Sequence, residues 1–137
     1  MVQKILLFLF LMIMVYSCSE KKAGRPATAL DTGREFIRAS LDGNFRDAEA
    51  VLLKDSQNVQ LFESYQMYYN RLPEEKKNNY KNASYNINKY ADLSDSITII
   101  NYSNSYMNKP MEIKVVRNNK EWNVDFKYTY SGNLPID

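Results

Sequence analysis

Hydrophobic positions recur with two different periods along the chain, and the period changes near Ala83. Before Ala83, apolar residues return every three to four positions, which is typical of amphipathic helices. This spacing predicts helices at 29–41, at 45–53 and from about 56 to 72, and a short helical piece after Pro73. Thr28 and Gly43 are the residue types that cap the two ends of the first helix.

After Ala83, apolar and polar residues alternate, which is the pattern of half-buried strands. It predicts a strand that begins at Tyr85 and further strands at 96–103, 111–116 and 122–128, the last with Trp122, Val124, Phe126 and Tyr128 on one face. Asn118-Asn119 are expected to take the two positive-φ positions of the final hairpin. Helices followed by antiparallel strands predict an α+β fold, with the helices packed on one face of a four-stranded sheet.

The N-terminus carries the pattern of an export signal. Lys4 precedes an apolar run from Ile5 to Tyr16, which is shorter than the roughly 20 apolar residues of a membrane span. The run ends in Val15-Tyr16-Ser17-Cys18, which resembles a bacterial lipobox. This resemblance implies that Cys18 receives a lipid and becomes the first residue of the mature chain. The alternative is an ordinary signal peptide with an incidental cysteine.

The expected organisation is a signal peptide at 1–17, a lipidated cysteine and flexible tether at 18–28, one domain at 29–130 and a polar tail at 131–137. The tether has no periodicity and contains Gly24 and Pro26. Some bacterial lipoproteins carry an acidic cluster just after the cysteine that routes them to the cell surface. In the corresponding stretch of this chain only Glu20 is acidic. We therefore expect a lipid-anchored protein of the outer membrane that faces the periplasm, with surface exposure as the alternative.

The composition of the chain argues against several kinds of partner and functional site. The formal net charge is only +2, which argues against nucleic acid as a partner because phosphate binding requires a marked basic excess. Cys18 is the single cysteine, so the domain has neither an internal disulfide nor a thiolate metal site. The absence of histidine removes the commonest metal ligand and general base. We expect no metal and no cofactor, and the oligomeric state stays open.

Several short motifs together resemble a known family. They are Phe36-Ile37-Arg38-Ala39, Leu41-Asp42-Gly43-Asn44, Ala48 with Val51-Leu52-Leu53, Ile113-Lys114-Val115-Val116 and Glu121-Trp122-Asn123-Val124-Asp125. Over residues 27–129 the chain is similar to small bacterial lipoproteins with a nuclear transport factor 2-like, cystatin-like domain, among them lumazine-binding-like domains of unknown function. The resemblance implies a curved antiparallel sheet that forms a cone with the helices, with a pocket at its wide end.

A binding module is the first functional hypothesis. Its candidate aromatic pocket consists of Phe62, Tyr69, Tyr85, Tyr102 and Trp122. Aromatic walls with a few hydroxyl groups suit a small apolar or aromatic ligand. The competing interpretation makes Phe62, Tyr69 and Trp122 ordinary core residues, with an envelope protein as the partner of the domain. A roomy aromatic cavity would favour a ligand, and a filled core would favour a protein partner.

An enzyme is the alternative that the resemblance suggests, since some members of the superfamily are lyases or isomerases. Such a site needs a buried carboxylate beside tyrosines. Asp125 and Glu112 alternate away from the apolar positions, and Glu63 lies between apolar positions of a helix. No nucleophilic triad, glycine-rich phosphate loop or paired-carboxylate spacing is present. We therefore expect a non-catalytic protein.

One modification site is a further candidate. Asp95-Ser96-Ile97 resembles the Asp-Ser/Thr-aliphatic acceptor of O-glycosylation in some exported bacterial proteins. This resemblance implies glycosylation at Ser96. A turn that enters a strand explains the same three residues equally well.

Overall fold

The computed structural model describes residues 24–130. The helices and strands follow one another as α1 Ala29–Asp42, α2 Phe45–Ala50, α3 Ser56–Arg71, α4 Glu74–Asn82, β1 Tyr85–Ser94, β2 Ile97–Asn104, β3 Pro110–Asn118, β4 Glu121–Asp125 and α5 Phe126–Tyr130. The four strands form one antiparallel sheet in the order β1-β2-β3-β4. The predicted α+β class, with helices against a four-stranded antiparallel sheet, is confirmed.

The ends of α1 lie where the capping residues predict them. The Thr28 hydroxyl oxygen accepts a hydrogen bond from the Asp31 backbone N–H at 3.1 Å. At the other end, Gly43 adopts a left-handed conformation with φ of 69°, and its N–H bonds back to Ser40 O. Both contacts satisfy backbone groups that a helix end leaves unpaired.

One face of the sheet meets α1 in a closely packed core. The strand alternation turns Ile100 of β2, Ile113 and Val115 of β3 and Val124 of β4 towards the helices, and all four are 0% exposed. Ile37 of α1 is only 1% exposed among them. Burial of this face holds α1 against the sheet. The predicted face of the fourth strand is only partly kept, because Asn123 is buried beside Val124 whereas Trp122 is half-buried.

Aromatic rings join the helices to one another. The Phe62 ring of α3 lies 6.0 Å from Phe36 of α1, 5.9 Å from Phe45 of α2 and 5.5 Å from Phe126 of α5, measured between ring centroids. The Phe62–Phe126 pair is edge-to-face, the arrangement that the ring quadrupoles favour. This cluster holds α3 in place over the sheet. It thereby determines where the α3 residues outside the cluster lie.

The predicted end of α2 at residue 53 is wrong, because the helix ends at Ala50. The backbone of 51–53 instead continues the sheet beside β4. Val124 N–H donates to Val51 O at 2.8 Å, and Leu53 N–H donates to Val124 O at 2.9 Å. These strand-like bonds replace the last helical ones and cover the free edge of β4.

The predicted fourth strand is too long, since β4 ends at Asp125 and α5 follows. The Asn58 side-chain oxygen accepts a hydrogen bond from Lys127 N–H at 2.8 Å, which takes this donor away from the sheet. The final turn is also one residue later than predicted. Asn119 and Lys120 hold the positive φ values of 51° and 67°, because Asn118 pairs with Glu121.

Candidate ligand-binding site

A cavity of about 200 Å³ lies between the helices α1, α3 and α4 and the part of the sheet where β2 ends and β3 begins. Five of its wall residues are tyrosines. The complete lining is Ile37, Ser40, Leu41, Ser64, Tyr65, Tyr68, Tyr69, Leu72, Tyr80, Tyr102, Asn104, Met107 and Met111. Because Tyr68 lines the cavity and is also 46% exposed, we place the mouth of the cavity beside this residue.

The walls follow from simple helix and strand periods. On α3, Tyr65, Tyr68 and Tyr69 have the i, i+3, i+4 spacing of one helix face, and Leu72 follows directly after the helix. The α1 wall residues have the same spacing, beginning at Ile37. On the sheet, Tyr102 and Asn104 are two residues apart on the inner face of β2. Met111 of β3 pairs directly with Tyr102.

Three wall tyrosines, Tyr65, Tyr69 and Tyr102, stay in their neutral form. Burial raises the pKa of Tyr65 and of Tyr102 far above the ordinary phenol value, and the neighbouring tyrosines add to the shift. Burial is also the main reason why the pKa of Tyr69 is raised, with the Asp42 and Glu74 charges contributing. A phenol whose pKa is raised remains protonated at neutral pH.

Asn104 is a wall residue whose unpaired side-chain donor is buried beneath the accessible surface. Its side chain is 3% exposed, and its Oδ1 accepts hydrogen bonds from the N–H groups of Tyr106 and Met107 at 3.1 and 2.8 Å. These two backbone donors fix the orientation of the amide. The buried Nδ2 of Asn104 has no hydrogen-bond partner.

Ser40 is a second wall residue with a buried, unpaired polar atom. Within residues 24–130, three buried side-chain atoms lack a partner, namely Ser40 Oγ, Asn104 Nδ2 and Thr129 Oγ1. Two of these three belong to cavity residues. By contrast, the other wall serine, Ser64, donates to Gln60 O at 2.9 Å. Buried polar groups are nearly always paired, so these atoms are exceptions, and their burial keeps them out of contact with the cavity space.

The cavity wall carries no formal charge in the part of the chain that the structure describes. Neither a carboxylate nor a Lys or Arg side chain is among its lining residues. The described residues also contain no group of three or more Cys, Asp or Glu side chains arranged to hold a metal ion. The wall therefore offers apolar contact and tyrosine hydroxyl groups, which suits binding of an uncharged molecule.

Two of the five predicted aromatic residues, Tyr69 and Tyr102, lie on the wall of the cavity. Phe62 does not, because its ring is 2% exposed inside the aromatic cluster of the helices. Tyr85 pairs with Asn104 across β1 and β2 but is not among the lining residues. Trp122 lies at the hairpin end of the sheet, where the Arg117 guanidinium is 5.8 Å from its ring centroid.

The remaining candidates lie away from the cavity. Glu112 accepts a hydrogen bond from the Tyr128 hydroxyl at 3.0 Å, and Asp125 accepts one from Asn58 Nδ2 at 3.2 Å. Glu63 is exposed on α3. Ser96 is exposed in the turn between β1 and β2, where its N–H bonds to Ser94 Oγ at 3.2 Å. Cys18 lies outside the described residues.

The sequence did not single out the polar residues of the site, Ser40 and Asn104. Ser40 lies three residues after Ile37, so the helix period could have placed it on the inner face of α1. Asn104 appears at the end of an apolar strand, where an asparagine normally indicates a turn. Its role as a turn residue is real, but the unpaired amide nitrogen depends on packing between distant elements.

Comparison with known proteins found no matching family model, no matching curated protein and no matching solved structure. The family resemblance of the sequence motifs thus remains a prediction. Within residues 24–130, no helix combines the length and apolar character that crossing a membrane requires.

Proposed function

We propose that this protein is a lipid-anchored lipoprotein of the bacterial cell envelope whose non-catalytic domain binds a small apolar or aromatic ligand. The observation that carries the binding role is the tyrosine-lined cavity of about 200 Å³. A roomy aromatic cavity is the feature that favours a ligand over a protein partner. The family resemblance supports the same interpretation, because it implies a pocket at the wide end of a cone formed by the sheet and the helices.

The cavity volume bounds the size of the ligand. Pockets for drug-sized molecules span roughly 300–1,000 Å³, whereas an apolar cavity of about 150 Å³ is known to hold benzene. At about 200 Å³ the cavity falls between these sizes and closer to the second. The proposed ligand therefore has one or two rings, and a long acyl chain or a large cofactor would not fit.

Methionine methyl groups provide the test of binding. Met107 and Met111 line the cavity, whereas Met67 is 53% exposed on α3 and lies outside it. The full chain, labelled with ¹³C at the methionine methyls and reconstituted in lipid nanodiscs, is titrated with α-methylstyrene and naphthalene. We expect saturable shifts of the Met107 and Met111 signals and an unchanged Met67 signal.

A cavity-filling variant is the matched control. Ser64→Phe adds a ring to the wall at a position on the α3 face. It should abolish the shifts of the two cavity methionines without unfolding the protein. If neither hydrocarbon perturbs the two cavity methionines of the unaltered chain, or if Met67 shifts equally, the proposed binding function is wrong.

The anchor is tested separately at Cys18. Because the lipobox chemistry requires the cysteine, Cys18→Ala should leave the signal peptide uncleaved and the mature protein without its lipid. Mass spectrometry of the purified chain reads both changes directly. A lipidated mass in the variant, or a cleaved but unlipidated mass in the unaltered protein, would contradict the proposed anchor.

A further inference from the structure

We propose that the domain rests on the lipid headgroups of the membrane with the end of its sheet that carries the β1–β2 and β3–β4 turns, so that the cavity opens towards the aqueous compartment. This end, residues 92–96 and 117–121, is called the turn end below. The inference rests on the proposed lipid anchor at Cys18. It goes further because it names the surface of the domain that meets the bilayer.

The two turns of the turn end form one continuous surface. Arg117 N–H donates a hydrogen bond to Ser96 O at 2.8 Å, which joins the β3–β4 turn to the β1–β2 turn. All residues of 92–96 and 117–121 are exposed. The turn end is therefore accessible to a flat partner such as a bilayer surface.

Arg25 fastens the incoming chain to the turn end. Its guanidinium donates to Asn123 Oδ1 at 2.6 Å and to Ala50 O at 2.9 Å. Its Nε lies 3.2 Å from a carboxylate oxygen of Glu121, the first residue of β4. Hydrogen bonds from a charged donor are among the strong ones, so the chain is held beside the β3–β4 turn.

The distance from Arg25 back to the anchor is short. Cys18 precedes Arg25 by seven residues, and seven extended residues span at most about 25 Å. The cavity lies at the opposite end of the sheet, because Tyr102 and Asn104 line it at the end of β2. The eight residues of β2 cover roughly 24 Å at about 3.4 Å per residue. The turn end thus stays close to the bilayer, whereas the cavity end extends into the aqueous compartment.

Leu93 provides an apolar contact at the turn end. It is 65% exposed, more than any other large apolar side chain in the part of the chain that the structure describes. A single leucine in the headgroup region binds weakly, but a short tether raises its effective concentration at the membrane. The turn end carries Arg117 and Lys120 but also Asp92 and Asp95, so the tether and Leu93, rather than charge, favour this contact.

Fluorescence quenching of the lipidated protein in phosphatidylcholine nanodiscs tests the orientation. Cys18 is the single cysteine and its thiol is occupied by the proposed lipid, so an introduced cysteine can be labelled selectively with bimane. Asn118→Cys places the fluorophore at the turn end, and Lys109→Cys places it in the exposed β2–β3 loop at the cavity end. A phosphatidylcholine with a nitroxide on its headgroup is the quencher. We expect several-fold stronger quenching at Asn118→Cys than at Lys109→Cys.

Two variants in the Asn118→Cys background test what holds the turn end in place. Arg25→Gln removes the charged contacts and lengthens the tether to Thr28, which caps α1, so quenching should fall. Arg46→Gln is its matched control, because the Arg46 side chain is 91% exposed. Leu93→Ser should also lower the quenching, with Tyr90→Ser, at a residue 54% exposed outside the turn end, as its control.

Equal quenching at the two labelled positions, or stronger quenching at Lys109→Cys, would overturn the inferred orientation while the anchor stands. Turn-end quenching that is unchanged in both Arg25→Gln and Leu93→Ser would overturn the inferred contact. If mass spectrometry finds no lipid on Cys18 of the unaltered protein, the proposed anchor is wrong and the inferred contact falls with it.

Discussion

Gly33 determines how closely α1 approaches the sheet. A glycine inside a helix costs roughly 1 kcal/mol relative to alanine, so its place in the middle of α1 needs a compensating contact. A Cβ atom built on Gly33 would lie 2.3 Å from Ile100 Cδ1 and 3.2 Å from Ile113 Cδ1. Since both isoleucines are 0% exposed, the missing side chain leaves the space that they fill.

We expect Gly33→Ala to destabilise the protein. Overpacking of a tight core costs about 1–3 kcal/mol, which exceeds or cancels the roughly 1 kcal/mol gained in helix propensity. Ile100→Val removes the clashing methyl group, so the double variant should be more stable than the sum of the two single changes predicts. Urea unfolding of all three chains measures this coupling, with Gly24→Ala as the control because nothing lies within 4 Å of Gly24. Strictly additive effects would show that the Gly33–Ile100 contact is not the cause.

At the scale of helices and strands, the sequence predicts what depends on neighbours along the chain. The capping residues of α1 and the alternation of β2 and β3 are local signals, and the structure confirms them. The predicted ends of α2 and β4 are wrong, because contacts with residues far away in the sequence determine where these two elements end. Asn58 holds Lys127 N–H, and Val51 pairs with Val124, across about 70 positions in each case.

The residues of the candidate site also fall into two groups, those that the local sequence predicts and those that depend on distant contacts. The aromatic stripe of α3 and the inward Tyr102 could be read from periodicity, so part of the wall was predictable. Phe62 belongs to the same helix but meets Phe126, whose inward position depends on the unpredicted α5. The unpaired Asn104 Nδ2 depends on how three elements meet, and no local pattern of residues encodes such a meeting.

At the scale of the whole molecule, the raised tyrosine pKa values link stability to pH. Tyr65 and Tyr102 are raised by burial, and Tyr128 is raised mainly by its hydrogen bond to Glu112. In the unfolded chain a tyrosine loses its proton near pH 10. Above that pH the unfolded state binds fewer protons than the folded state, so the free energy of unfolding falls as pH rises.

We therefore expect alkaline unfolding to begin above about pH 10, with Tyr65 and Tyr102 each contributing about 1.4 kcal/mol per pH unit to the decline. Tyr65→Phe should remove one such contribution and make the decline less steep between about pH 10 and 12. Urea unfolding at a series of alkaline pH values gives the slope, and Tyr90→Phe, at a residue 54% exposed on β1, is the control. Lysine titration affects all three chains equally, so it cancels in the comparison. An identical slope in Tyr65→Phe and the unaltered chain would mean that the Tyr65 phenol titrates as easily folded as unfolded, and the neutral, desolvated wall inferred for the cavity would be wrong.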